Sequence, residues 1–100
     1  MSKTIQQWQD ENGAWGDETF PESDDFTVFA HLSKEIHELD HAQWDDEKRE
    51  EMADVVILIM QWFHKRGERL EDAIAAKMKV NREREWKSQP EPEGHWEHVR

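Results

Sequence analysis

Glu51-Met-Ala-Asp-Val-Val-Ile-Leu-Ile-Met60 passes from a pair of acids straight into the most hydrophobic run of the chain. Glu51 precedes Val55 by four residues and Leu58 by seven, and Asp54 precedes Leu58 by four, so both acids follow an apolar helical stripe. A second pair with the same internal spacing, Glu35-x-x-Glu38, lies upstream. Glu35 is three residues after Leu32, four before Leu39 and seven after Val28, with Glu38 at the margin of that stripe. Carboxylates pressed against a core are costly to keep ionised unless a cation or hydrogen bonds compensate them. Four acids on two facing helices make an oxygen cage suited to a hard divalent metal, above all Mg2+. The competing reading is a solvated acidic face with intrahelical salt bridges, in a chain with 24 acids. Inward placement and repeated spacing favour the cage.

The stripe Met52, Val55, Val56, Ile59 and Phe63 predicts a helix from about Asp46 to Arg66, ended by Gly67. Before it, Val28, Phe29, Leu32, Ile36 and Leu39 predict a helix from about Phe26 to Ala42, capped by Asp25 or Ser23. Ile5 and Trp8 predict a short first helix from Thr4 to about Asn12, with Gly13 as its stop and a loop over 14–25. Leu70, Ala73, Ile74, Ala76 and Met78 predict a fourth helix from Leu70 to about Trp86. Pro90, Pro92 and Gly94 then exclude further helix, leaving a domain over 1–87 and an irregular tail over 88–100. Short connections favour antiparallel neighbours, hence an all-α, four-helix up-down bundle. A chain of 100 residues has a small core, which oligomerisation would complete.

Charge narrows the function classes. With 13 Lys and Arg against 24 Asp and Glu, the net charge of −11 argues against a binder of nucleic-acid polymer. A small polyanionic ligand would need a metal to approach such a protein. The absence of cysteine excludes disulfides, thiolate catalysis and cysteine zinc sites. The longest apolar run, Val55–Met60, is too short to cross a bilayer. Met1-Ser-Lys-Thr-Ile-Gln-Gln7 lacks the apolar stretch of a signal peptide, so a cytoplasmic protein without membrane association is expected.

Lys34-Glu-Ile-His-Glu-Leu39, a gap of twelve residues between Glu38 and Glu51, and Arg49-Glu-Glu-Met-Ala-Asp-Val-Val-Ile-Leu58 form one extended motif. It resembles the MazG-like all-α nucleoside triphosphate pyrophosphohydrolases. Lys77-Met-Lys-Val-Asn-Arg-Glu-Arg-Glu-Trp86 looks like that family's Lys/Asn/Arg segment. Trp15 with Thr19-Phe-Pro21, and Glu97-His-Val-Arg100, are similar to the phage-type dATP/dGTP diphosphohydrolase branch. The resemblance spans roughly Trp8 to Trp86. It implies that Glu35, Glu38, Glu51 and Asp54 hold one or more Mg2+ ions, with Mn2+ as a substitute. Glu35 and Glu38 are then the catalytic candidates, Glu35 orienting or deprotonating the attacking water. A (deoxy)nucleoside triphosphate would be cleaved to monophosphate and pyrophosphate, in nucleotide-pool cleansing or remodelling, by a homodimer or homotetramer. The rival from another class is a noncatalytic acidic module, an inhibitor or nucleic-acid mimic indifferent to Mg2+.

Lys77, Asn81 and Arg84 fall at i, i+4 and i+7, one helix face that suits triphosphate oxygens or an ordinary solvated helix end. Six tryptophans stand beside no tyrosine. Trp62 and Trp86 read as packing residues, whereas Trp8 and Trp15 flank a glycine-containing loop and could stack on a nucleobase or pack. His31 precedes Glu35 by four and either orients that carboxylate or is a satisfied helix histidine. His37 and His41 have zinc-pair spacing without a clear third imidazole. Glu38-Leu-Asp-His41 matches one half of a di-iron motif whose second half is missing.

Overall fold

Thr4 opens the first helix, α1 (Ile5–Thr19), with a reciprocal cap in a computed structural model that describes residues 2–99. Its hydroxyl accepts the Gln7 N–H at 3.1 Å, and Gln7 Oε1 accepts the Thr4 N–H at 2.8 Å. Gly13 does not stop this helix, and residues 14–19, expected as loop, are helical. The cause is close packing. A β-carbon at Gly13 would overlap the His64 imidazole, and one at Gly16 would stand 3.1 Å from Gln61 Cδ. Both glycines therefore bring one helix close to another.

Asp24, rather than Asp25 or Ser23, caps α2 (Asp25–His41). Its carboxylate accepts the Thr27 N–H at 2.9 Å while Thr27 Oγ1 accepts the Asp24 N–H at 2.8 Å. Only Asp24 has a hydroxyl three residues on to return the bond. Three residues, Ala42–Trp44, lead into α3 (Asp45–Arg66). Trp44 provides no side-chain cap, and Asp45, Asp46 and Glu47 instead place negative charge on the first turn. Gly67, at φ 69°, ends α3 as the spacing predicted.

The chain forms two compact units, one running to Leu70 and the other starting at Glu71. In the first, α1 and α2 both pack on α3. Val28, Leu58 and Met60 are its buried apolar residues, joined by buried Gln9, Glu35 and Gln61. Gln9 ties the end of α3 to α1: Nε2 donates to the Glu68 carbonyl at 2.8 Å and Oε1 accepts the Leu70 N–H at 2.9 Å. His64 Nε2 meets Asp17 Oδ2 at 2.8 Å, a second α1–α3 tie.

Only part of each expected stripe faces inward. Val28 is buried and Leu32 and Leu39 half-buried, but Phe29 and Ile36 are exposed, as are Met52 and Val56 on α3. Phe26, at 80% exposure, extends the outward apolar face of α2.

The second unit contains most of α4 (Leu70–Glu83), which ends three residues earlier than its pattern predicts. Beyond it, Trp86 and His98 form an antiparallel bridge. Lys87 N–H donates to the Glu97 carbonyl at 3.0 Å, and Val99 N–H to that of Glu85 at 2.6 Å. These bonds need extended backbone, and they compete with the helix for residues 84–86. The Trp86 indole N–H in turn donates to the Asn81 carbonyl at 2.9 Å, satisfying a last-turn acceptor. The described residues thus make four helices and no strand beyond this bridge, the all-α class expected. No described helix is long and apolar enough to cross a membrane.

Candidate metal centre

Helix α2 delivers Glu35 and Glu38 one turn apart, and α3 delivers Glu51 opposite them. One carboxylate oxygen from each of these three residues lies within 4.8 Å of the others. Glu35 is the deepest, at 7% exposure, while Glu38 and Glu51 are half-buried. Asp54, expected as the fourth member, is exposed and stands outside the trio. Asp54 nevertheless lines the cavity beside the trio together with Glu35.

Electrostatics follows from this crowding. A hydrogen bond to Glu35, burial, and the charges of Glu35, Glu38 and Asp54 push the Glu51 carboxyl up to about 7. The same hydrogen bond, with help from His31 and Lys34, holds Glu35 below its ordinary value. The crowding thus favours the proton on Glu51 and the charge on Glu35, as happens when two carboxyls are too close for both to ionise easily. His31 Nε2 lies 3.3 Å from Glu35 Oε1, and Lys34 Nζ lies 3.8 Å from Glu38 Oε1. Glu51 Oε2 is buried without a hydrogen-bond partner among the described residues.

An orphaned buried oxygen in a nest of hard oxygen donors fits a divalent cation. Such an ion would replace the Glu51 proton and satisfy Glu51 Oε2 as well. Glu35, Glu38 and Glu51 could hold it directly.

A cavity of about 340 Å3 adjoins the cluster, lined by Glu35 and Asp54 at one side and by Asn12, Trp15, Phe20 and Gln61 elsewhere. Trp15 and Phe20 meet edge to face, with ring centroids 5.5 Å apart. Of the two tryptophans named for a nucleobase, Trp15 lines this cavity and Trp8 does not. The Trp8 ring instead carries the Lys3 ammonium 4.6 Å from its centroid. Lys77 and Asn81 lie on α4 in the second unit, and Arg84 follows the helix, its N–H bonded to the Val80 carbonyl at 3.1 Å. Asn12, Phe20 and Gln61 were not legible as site residues. Ending α1 at Gly13 separated Asn12 from Trp15, which share a face three residues apart.

Comparison with known proteins agrees with this architecture. Residues 8–100 match the family model for dATP/dGTP pyrophosphohydrolase. Over 72 residues the chain is 38% identical to a dATP/dGTP diphosphohydrolase of Salmonella phage PMBT28, covering 72% of this chain and 24% of that protein. The chain thus spans about a quarter of that relative's length. A solved structure of the cyanophage S-2L MazG-like pyrophosphohydrolase, bound to dGDP and three catalytic Mn2+ ions per active site, has the same fold, with a TM-score of 0.84. That similarity extends over 100% of this chain and 97% of the other at 30% identity. The resemblance first carried by the two acidic pairs is therefore one of descent: the chain belongs to the dATP/dGTP pyrophosphohydrolase family and has its MazG-like all-α fold.

Proposed function

We propose that this protein hydrolyses dATP and dGTP to the deoxynucleoside monophosphate and pyrophosphate in a reaction that requires a divalent metal. The observation that carries the proposal is the clustering of Glu35, Glu38 and Glu51 around the unpartnered Glu51 oxygen. The family match and the dGDP and Mn2+ held by the cyanophage neighbour support it. Mg2+ is the proposed physiological ion, with Mn2+ able to replace it.

Glu35, Glu38 and Glu51 would hold the metal, and Asp54 would add its charge beside them. A bound divalent ion supplies charge neutralisation for the triphosphate oxygens, which an acidic protein otherwise repels. The chain's own contribution is positioning and proton transfer. Glu35, fixed by Glu51 and His31, orients the attacking water and accepts its proton. The water oxygen bonds to the α-phosphorus, the bond from that phosphorus to the α–β bridging oxygen breaks, and pyrophosphate departs with those electrons. The cavity beside the cluster receives the nucleoside.

Burial of Glu35 counts against a noncatalytic acidic module, which must present its acids to a partner. The exposed Phe26, Phe29 and Ile36 on α2, with Met52 and Val56 on α3, support a homodimer or homotetramer in which a second copy covers them. The proposed role is remodelling or cleansing of a cytoplasmic deoxynucleotide pool. The test is incubation with each ribo- and deoxynucleoside triphosphate, with and without Mg2+, measuring monophosphate and pyrophosphate. Equal release of both from dATP and dGTP, only with metal, is expected; no hydrolysis across the panel sinks the proposal.

A further inference from the structure

Gln61 is 6% exposed, yet its carboxamide makes no hydrogen bond to any described residue. Its amide atoms are not sealed away as the unpartnered Glu51 Oε2 and Trp62 Nε1 are, so they stay open to a ligand. Gln61 lines the cavity beside the acid cluster, and the bare backbone of Gly16 makes room for it, since a β-carbon there would stand 3.2 Å from Gln61 Nε2. Asn12 lines the same wall, its Nδ2 donating among the described residues only to the Met60 sulfur at 3.4 Å. The cavity therefore combines an aromatic wall, Trp15 against Phe20, with an amide that has both a donor and an acceptor to offer.

A purine fits these features from two sides. Its face suits the aromatic wall, and its 6-position edge suits the amide. Adenine presents a donor at N6 and an acceptor at N1, while guanine presents an acceptor at O6 and a donor at N1. These patterns are inverses, and a carboxamide turned by 180° converts one complement into the other. No hydrogen bond to a described residue locks Gln61 in either orientation.

We propose that Gln61 is the specificity-determining residue of the site, reading the 6-position edge of the purine by turning its carboxamide between adenine and guanine. The assignment rests on the hydrolytic reading of the adjoining acid cluster. It explains how one small site takes a 6-amino and a 6-oxo purine without two sets of contacts. Cytosine and thymine carry the same alternation on a single ring, and the longer reach of the purine from the phosphates separates the two classes.

The test compares kcat/KM for dATP, dGTP and the triphosphate of 6-unsubstituted 2′-deoxypurine, in the wild-type protein and in Gln61→Met. Methionine keeps the unbranched shape of glutamine and removes its hydrogen bonds. The wild-type protein is expected to prefer dATP and dGTP over the 6-unsubstituted analogue by about ten- to a hundredfold. Gln61→Met is expected to lose that preference, mainly by a fall on the two natural purines. Equal use of the analogue by the wild-type protein, or a preference retained in Gln61→Met, overturns the role of Gln61 alone. If the variant fails to fold, the wild-type comparison decides. Failure of the wild-type protein to hydrolyse any triphosphate overturns the hydrolytic reading, and this one with it.

Discussion

Glu51 on α3 and Glu35 on α2 bring carboxylate oxygens within 4.8 Å of each other, so a proton held by Glu51 and a divalent cation would draw on the same oxygens. Proton and metal then compete. Glu51 titrates at about 7, above the ordinary 4.5 of a glutamate, so below that pH it is protonated and must lose its proton to bind metal. Affinity for Mn2+, followed by calorimetric titration, should weaken by about tenfold per pH unit below 7 and level off above it. An affinity flat between pH 5 and 8 would show that no such competition exists.

His31 touches Glu35 from the preceding turn and closes one side of its carboxylate. Outer partners of this kind typically contribute about 10–100-fold to metal affinity or activity. His31→Ala should therefore reduce hydrolysis of dATP by that order while leaving the helical circular dichroism unchanged. Wild-type turnover in this variant would make His31 a bystander.

Gly13 lies so close to the His64 ring that even a methyl group must displace it. Overpacking of this kind destabilises by about 1–3 kcal/mol. Gly13→Ala should accordingly lower the melting temperature by roughly 4–24 °C, at about 4–8 °C per kcal/mol for a domain of this size. Loss of the His64–Asp17 ion pair should accompany it. An unchanged melting temperature would mean that α1 and α3 are not packed this closely.

Asp24 holds the reciprocal cap of α2. Asp24→Ala should lower stability by about 1 kcal/mol in urea denaturation. Asp25→Ala and Ser23→Ala should each have less effect, because neither side chain accepts a first-turn N–H of α2. Equal losses in all three would shift the helix start.

These contrasts separate what local pattern reveals from what it hides. The bounds of α2 and α3 were readable to within a residue, since apolar periodicity and Gly67 act within a few positions of the ends they set. Gly13 and Gly16 misled because a glycine that admits a neighbouring helix resembles one that ends its own. The early end of α4 depends on backbone bonds between Glu85 and Val99 and between Lys87 and Glu97, contacts no local window contains. At the site, Glu35, Glu38 and Glu51 were legible because a charge in an apolar stripe stands out. Asp54 shares their spacing but is exposed, lining the adjoining cavity rather than joining the trio. Gln61 carried no signal, as an uncharged amide among apolar residues disturbs neither charge nor periodicity.

Pyrophosphate release from dGTP, measured for the wild-type protein and for Glu35→Gln with Mg2+ and with excess chelator, probes the acid cluster most sharply. The wild-type protein should release pyrophosphate and dGMP in equal amounts with Mg2+ and neither with chelator. Glu35→Gln should fall by about a hundredfold or more. Release that survives the chelator, or that proceeds undiminished in Glu35→Gln, would contradict a metal-dependent site built on Glu35, Glu38 and Glu51.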